Sequence, residues 1–128
     1  MTSRTGPRKI MIVDDMRTIR MLLPAYFVGK DYRYFPAESG EDALANLGSV
    51  RPDLLVSDVN MPGMSGFELC HAARALPGFA RLPVILITGD PEIEKLMEEL
   101  DPTQKSALVT KPLDPQEVRA LVEDFLGA

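Results

Sequence analysis

Leu54-Leu55-Val56-Ser57-Asp58-Val59-Asn60-Met61-Pro62-Gly63 is an apolar run that reaches a single aspartate and then breaks into a Pro-Gly turn. The run is short, dense in Leu and Val, and preceded by Pro52, which fits a strand buried on both faces. Such strands belong to parallel sheets covered by helices on either side. Ligands of those sheets bind beyond the carboxyl ends of the strands. Asp58 therefore stands where strand becomes loop, at the place where a site is expected. Taken alone, an aspartate there is more often a turn cap than a functional group.

The flanking sequence repeats the pattern. Upstream, Ile10-Met11-Ile12-Val13 is a first apolar run that ends in Asp14-Asp15. A helix follows, with Ile19, Leu22, Leu23 and Phe27 at helical spacing and Pro24 inside it. An interior proline costs roughly 3 kcal/mol, so this helix is expected to kink or to end early with a second short turn. Tyr32-Arg33-Tyr34-Phe35 is the least apolar run and is expected at the sheet edge. Ser39 can cap a second helix, with Asp42 closing a weak capping box, Ala43, Leu44 and Leu47 facing the core, and Gly48 ending it. The central strand is expected over 53–59.

Downstream, 67–76 reads as a third helix closed by Pro77-Gly78. Val84-Ile85-Leu86-Ile87 is a fourth strand running into Thr88-Gly89-Asp90. A short helix is expected over 92–100, with Ile93, Leu96, Met97 and Leu100 inward. Ala107-Leu108-Val109 is a fifth strand ending in Thr110-Lys111-Pro112. Asp114 caps the last helix, with Pro115 at its first position and Val118, Leu121, Val122 and Phe125 on its buried face. Residues 1–9 read as a loose lead-in and 10–128 as one domain. The order is βα repeated five times, which predicts a parallel sheet with right-handed crossovers. The fold class is α/β, a flavodoxin-like (βα)5 sandwich with strand order 2-1-3-4-5.

The composition is that of an ordinary globular domain, with 128 residues, 45% of them hydrophobic and 26% charged. The net charge of −5 argues against direct nucleic-acid binding and suits a cation or a basic partner. One cysteine, Cys70, rules out an internal disulfide and fits a cytoplasmic setting. No apolar run reaches membrane-spanning length, and no signal-peptide pattern opens the chain. His71, alone in the third helix, reads as a surface or core histidine and not as a phosphotransfer group.

In the 2-1-3-4-5 order, strands one and three are neighbours. Asp14, Asp15 and Asp58 then converge, with Thr88 and Lys111 arriving from strands four and five. Crowded carboxylates resist full ionisation, and a divalent cation relieves the repulsion. Mg²⁺ suits oxygen ligands and phosphoryl chemistry. Lys111 supplies a point charge for a phosphoryl group or a salt bridge to Asp58. Thr88 offers a hydroxyl to a phosphoryl oxygen. Asp58 is then the nucleophile of an aspartyl phosphate. Each residue alone has a blander role as a cap, a turn residue or a solvated lysine. Their joint placement at four strand ends outweighs those roles.

Taken together these residues resemble the receiver domain of two-component response regulators, the CheY-like family. The resemblance spans 10–126. It rests on Asp14-Asp15, Ala37-Glu38-Ser39-Gly40-Glu41-Asp42-Ala43-Leu44, Pro52-Asp53 through Asp58, Met61-Pro62-Gly63-Met64-Ser65-Gly66, Thr88-Gly89 and Lys111-Pro112. It implies that Asp58 is the phosphoacceptor, and that Asp15 binds Mg²⁺ directly and Asp14 directly or through water. Asn60 would give its backbone carbonyl to the metal, so that Asp14, Asp15, Asp58 and Asn60 form the metal set. Thr88 would hold a phosphoryl oxygen, Gly89 would donate a backbone N–H in a tight space, and Lys111 would pair with the phosphoryl group beside a cis Lys111-Pro112 bond. The implied partners are a sensor histidine kinase or histidine phosphotransfer protein, and a downstream output protein or attached output domain. A phosphorylation-linked homodimer is also implied; a membrane is not. The chain would be a signalling switch, catalysing only its own phosphorylation and dephosphorylation, and either stand-alone or excised from a longer protein.

Four features differ from the family pattern: Leu108 where an aromatic is usual, the segment around Asp101-Pro102, Pro24 in the first helix, and Ser65 in place of a common Asp. A phosphate-independent docking module is the alternative reading. A flavodoxin-like cofactor binder would need a Ser/Thr/Gly-rich loop after strand one. A haloacid-dehalogenase phosphatase would need Asp-x-Asp there, together with a cap.

Overall fold

The computed structural model describes residues 6–90, 92 and 104–127. The central strand, β3 (Leu54–Asp58), is buried at every position, as its unbroken apolar run requires. It pairs in parallel with β1 (Arg8–Val13) on one side and β4 (Val84–Thr88) on the other. β2 (Tyr32–Ala37) lies outside β1, and β5 (Ser106–Thr110) outside β4. The order is β2-β1-β3-β4-β5, as expected. The helices are α1 (Arg17–Ala25), α2 (Gly40–Val50), α3 (Gly66–Arg74) and α4 (Pro115–Leu126).

The twofold alternation of the strands divides the core into two layers. Met11, Val13, Leu55 and Leu86 point to one face, against Leu47 of α2 and Leu69 of α3. Ile10, Ile12, Leu54, Val56 and Ile87 point to the other, against Leu23 of α1 and Val122 of α4. The sheet is thereby covered on both sides, and its functional surface is left to the strand ends.

Several boundaries differ from the sequence reading for identifiable reasons. β1 starts at Arg8, because Arg8 and Lys9 already pair with Tyr32 and Arg33. α1 ends soon after Pro24, in a tight turn in which Tyr26 N–H donates to the Leu23 carbonyl and Phe27 N–H to that of Pro24. Leu22, at helical spacing in the sequence, is 39% exposed. Ile19, Leu23 and Phe27 form the i, i+4, i+8 stripe of this short helix, and Leu22 falls off it. Gly48 does not end α2. The helix continues to Val50, and Arg51 takes the left-handed closing conformation at φ 52°, immediately before Pro52. The capping arm expected of Asp42 goes to Glu38 N–H at 3.3 Å, while Ser39 accepts from Asp42 N–H as expected. Asp114 and Pro115 open α4 as read. The helix expected over 92–100 lies outside the described residues except for Glu92.

A complete capping box at α3 escaped the sequence reading. The Ser65 hydroxyl accepts from Glu68 N–H at 3.2 Å, and the Glu68 carboxylate accepts from Ser65 N–H at 3.1 Å. The Ser-x-x-Glu spacing from 65 to 68 was the available signal. Ser65→Ala is expected to cost about 1 kcal/mol and lower the melting temperature by a few degrees. A thermal melt checks it, and an unchanged midpoint would mean that the box contributes nothing.

Candidate functional site

Four strand ends meet on one edge. At the end of β1, Asp14 N–H donates to the Ala37 carbonyl of β2, which seats Asp14 fully buried. Its Oδ1 accepts from Met16 N–H at 2.8 Å. Asp15, one residue on, is exposed. Val13 pairs with Ser57, so the register sets Asp14 beside Asp58. Asp58 is 4% exposed and closes β3. The Asp14, Asp15 and Asp58 carboxylates lie within 4.8 Å of one another.

From β5, Lys111 N–H donates to the Thr88 carbonyl at 2.8 Å, and its ammonium sits 3.4 Å from Asp58 Oδ1. The bond to Pro112 is cis, as the resemblance implied. Thr88 is fully buried, and its Oγ1 accepts from Asp90 N–H at 3.0 Å. Gly89, at the end of β4, is exposed. Among the described residues, a Cβ built on it meets nothing within 4 Å. Asn60 is exposed just beyond β3, and His71 is exposed on α3.

The electrostatics follow from burial. Burial pushes the Asp58 carboxyl above the ordinary aspartate range, against the opposing pull of Lys111. Burial does the same to Asp14; Met16 N–H opposes the shift and the Asp58 charge reinforces it. Asp14 Oδ2 is buried without a hydrogen-bond partner, and Asp58 Oδ1, also without one, has the Lys111 ammonium 3.4 Å away as its charged neighbour. Bare buried carboxylate oxygens are costly unless something charged completes them. Clustered, oxygen-only donors with unspent lone pairs fit a hard divalent cation such as Mg²⁺.

Gly66 was missed as a positioning residue. A Cβ there would lie 2.4 Å from the Asp58 carbonyl oxygen and 3.0 Å from the Val59 Cα. Gly66 N–H donates to the Val59 carbonyl at 2.9 Å, so α3 is docked directly on the end of β3. Leu108 is half-buried and packs into the core layer shared with α2 and α3.

Residues 10–123 match the response regulator receiver domain family. The chain is 35% identical over 120 residues to sporulation initiation phosphotransferase F of Bacillus subtilis, covering 92% of this chain and 93% of that protein. It is 32% identical to a part of the sensor histidine kinase TmoS of Ectopseudomonas mendocina, covering 93% of this chain but only 12% of the kinase. A response regulator from Chloroflexus aurantiacus superposes with a TM-score of 0.83 at 32% identity, covering 96% of this chain and all of that one. Family match, strand order and acidic edge agree, and the chain belongs to the response regulator receiver domains, phosphoacceptor switches of two-component signalling and not enzymes in the ordinary sense.

Proposed function

We propose that Asp58 is the phosphoacceptor. The observation that carries this is its placement: a buried carboxylate in a cluster of three, with Lys111 3.4 Å away. A carboxylate oxygen of Asp58 attacks the phosphorus of a partner's phosphohistidine. The new P–O bond forms as the P–N bond breaks, and the imidazole leaves with the electron pair and takes up a proton from solvent. Lys111 pairs with the transferred group's charge. Thr88 and Gly89 contact its oxygens through a hydroxyl and a backbone N–H. Asp14, Asp15, Asp58 and the Asn60 backbone carbonyl would hold Mg²⁺, which supplies positive charge to the phosphoryl oxygens when bound. Water attack on the acyl phosphate, at a mouth flanked by Asn60 and Asp90, resets the switch.

The phosphoryl group stabilises a minor conformation, which the output partner selects. The donor is a sensor histidine kinase or a histidine phosphotransfer protein. The signal passes, in the cytoplasm, to an output protein, an attached output domain or a second copy of the chain. Among the described residues no helix is long and apolar enough to cross a membrane.

The test is intact mass after incubation with acetyl phosphate. Wild type gains one phosphoryl group only with Mg²⁺ present, and Asp58→Asn gains none. The packing of Leu108 into the core favours the second reading, a docking module independent of phosphate. Folded wild-type protein that gains no mass in any condition would overturn the phosphoacceptor reading in favour of that one.

A further inference from the structure

At the opposite end of β3 from Asp58, the structure holds a second feature. A cavity of about 500 Å³ opens among Lys9, Arg51, Asp53, Phe79 and Arg81. We propose that this cavity binds a small phosphate anion.

Charge is the first reason. The chain is acidic overall, at −5, yet three cations converge here on a single carboxylate. That carboxylate, Asp53, is already engaged, with its Oδ2 accepting from Lys9 N–H at 2.8 Å. Lys9 Nζ donates to the Val50 carbonyl at 3.1 Å. Among the described residues neither Arg51 nor Arg81 forms an ion pair. A concave surface of one sign concentrates ions of the other.

Construction is the second reason. Arg51 occupies the left-handed position that ends α2, at φ 52°, where glycine or asparagine is the ordinary choice. Its guanidinium is held 5.3 Å over the Phe79 ring centroid. It also lies close to Gly78, where an added Cβ would come 3.4 Å from Nη2. A strained arginine thus stands where glycine would cost less, on the wall of the cavity and with its guanidinium held against Phe79. Planar guanidinium forks match phosphate oxygens in pairs. The cavity is of ligand size. One face of Phe79 is taken by Arg51, which leaves the charged groups, and not a stacking surface, to select the ligand. The class is therefore a phosphate or short phosphate chain, without a base.

The test uses the full chain and inorganic pyrophosphate in EDTA, so that no metal recruits the anion to the Asp58 edge. Amide shifts of Gly78 and Phe79 are followed by NMR during the titration. Saturable shifts at low salt are expected, weakened at least about tenfold by about 0.3 M salt. Arg81→Gln and Arg51→Gly are each expected to weaken binding at least about tenfold. Arg51→Gly relieves the backbone strain, so it should melt no lower than wild type, which separates charge from structure. Lys111→Gln should leave binding unchanged. Loss in Lys111→Gln with retention in Arg81→Gln would overturn the proposal, because the anion would then sit at the phosphoryl site. So would the absence of shifts at about 10 mM pyrophosphate. Adenosine diphosphate binding more tightly than pyrophosphate would overturn the exclusion of a base. Acetyl phosphate labelling of Asp58 is scored separately and is independent of these outcomes.

Discussion

Gly66→Ala is expected to destabilise the protein by about 3 kcal/mol, lower its melting temperature by about 10 °C, and slow acetyl phosphate labelling. The methyl group has no room. Its carbon would sit 2.4 Å from the Asp58 carbonyl oxygen, 3.1 Å from the Asp58 carbonyl carbon and 3.0 Å from the Val59 Cα. All three are backbone atoms at the end of a strand paired on both sides, so none can swing away as a flexible side chain would. Relief requires α3 to back off from β3, which breaks the Gly66 N–H bond to the Val59 carbonyl and costs about a further 1 kcal/mol. Overpacking of this kind typically costs 1–3 kcal/mol, so the two effects together reach about 3. The crowded peptide is the one that carries Asp58, and labelling should suffer alongside stability. Thermal melts and labelling rates check it. A variant that melts within about 2 °C of wild type would show that α3 is not seated as tightly as the geometry requires.

Asp14→Asn should do the reverse to stability while removing function. In the metal-free protein the change is expected to stabilise by about 1–2 kcal/mol and to lower Mg²⁺-dependent labelling by at least about a hundredfold. Asp14 is fully buried, its Oδ2 has no hydrogen-bond partner, and Asp58 lies next to it. Asparagine keeps the oxygen that accepts from Met16 N–H, removes one of the repelling charges, and replaces the bare oxygen with a donor. The same change withdraws a ligand from the divalent cation. Melts with and without Mg²⁺ check both halves. Wild type should gain stability from the cation by mass action, and the variant should gain little. A variant less stable than wild type in EDTA would show that carboxylate repulsion is not what limits the folded state here.

Most of the fold was legible because the strands announce themselves. Val84-Ile85-Leu86-Ile87 and Leu54-Leu55-Val56 are unbroken apolar runs, and parallel strands buried on both faces need such runs. The site was legible for the same reason: each run ends in a charged or hydroxyl residue, and the topology gathers the ends. Other features depended on contacts that no local pattern announces. Leu22 has helical spacing but misses the buried stripe by one position. Gly48 looks like a stop, yet Pro52 and the left-handed Arg51 end α2 instead. Gly66 was invisible because its constraint is a backbone approach across the β3–α3 junction. The capping box at Ser65 is legible in its Ser-x-x-Glu spacing. The cationic cavity draws on residues from β1, the α2–β3 corner and the loop before β4, and only the assembled sheet brings them together.

The Thr88 hydroxyl can be counted by its hydrogen. Its oxygen already accepts from Asp90 N–H, which fixes the start of the loop after β4. A hydroxyl that accepts still has one proton to give, and among the described residues that proton has no acceptor. Under the proposed function, Thr88 would donate that proton to a newly arrived phosphoryl oxygen without releasing Asp90, and the two contacts would form a single mechanical link. Any displacement of the hydroxyl toward the site is passed to the Asp90 backbone. A valine of the same shape would keep the packing but break the link, whereas a serine would preserve it. The Asp90 backbone is thus tied to the end of β4 through the single oxygen of Thr88.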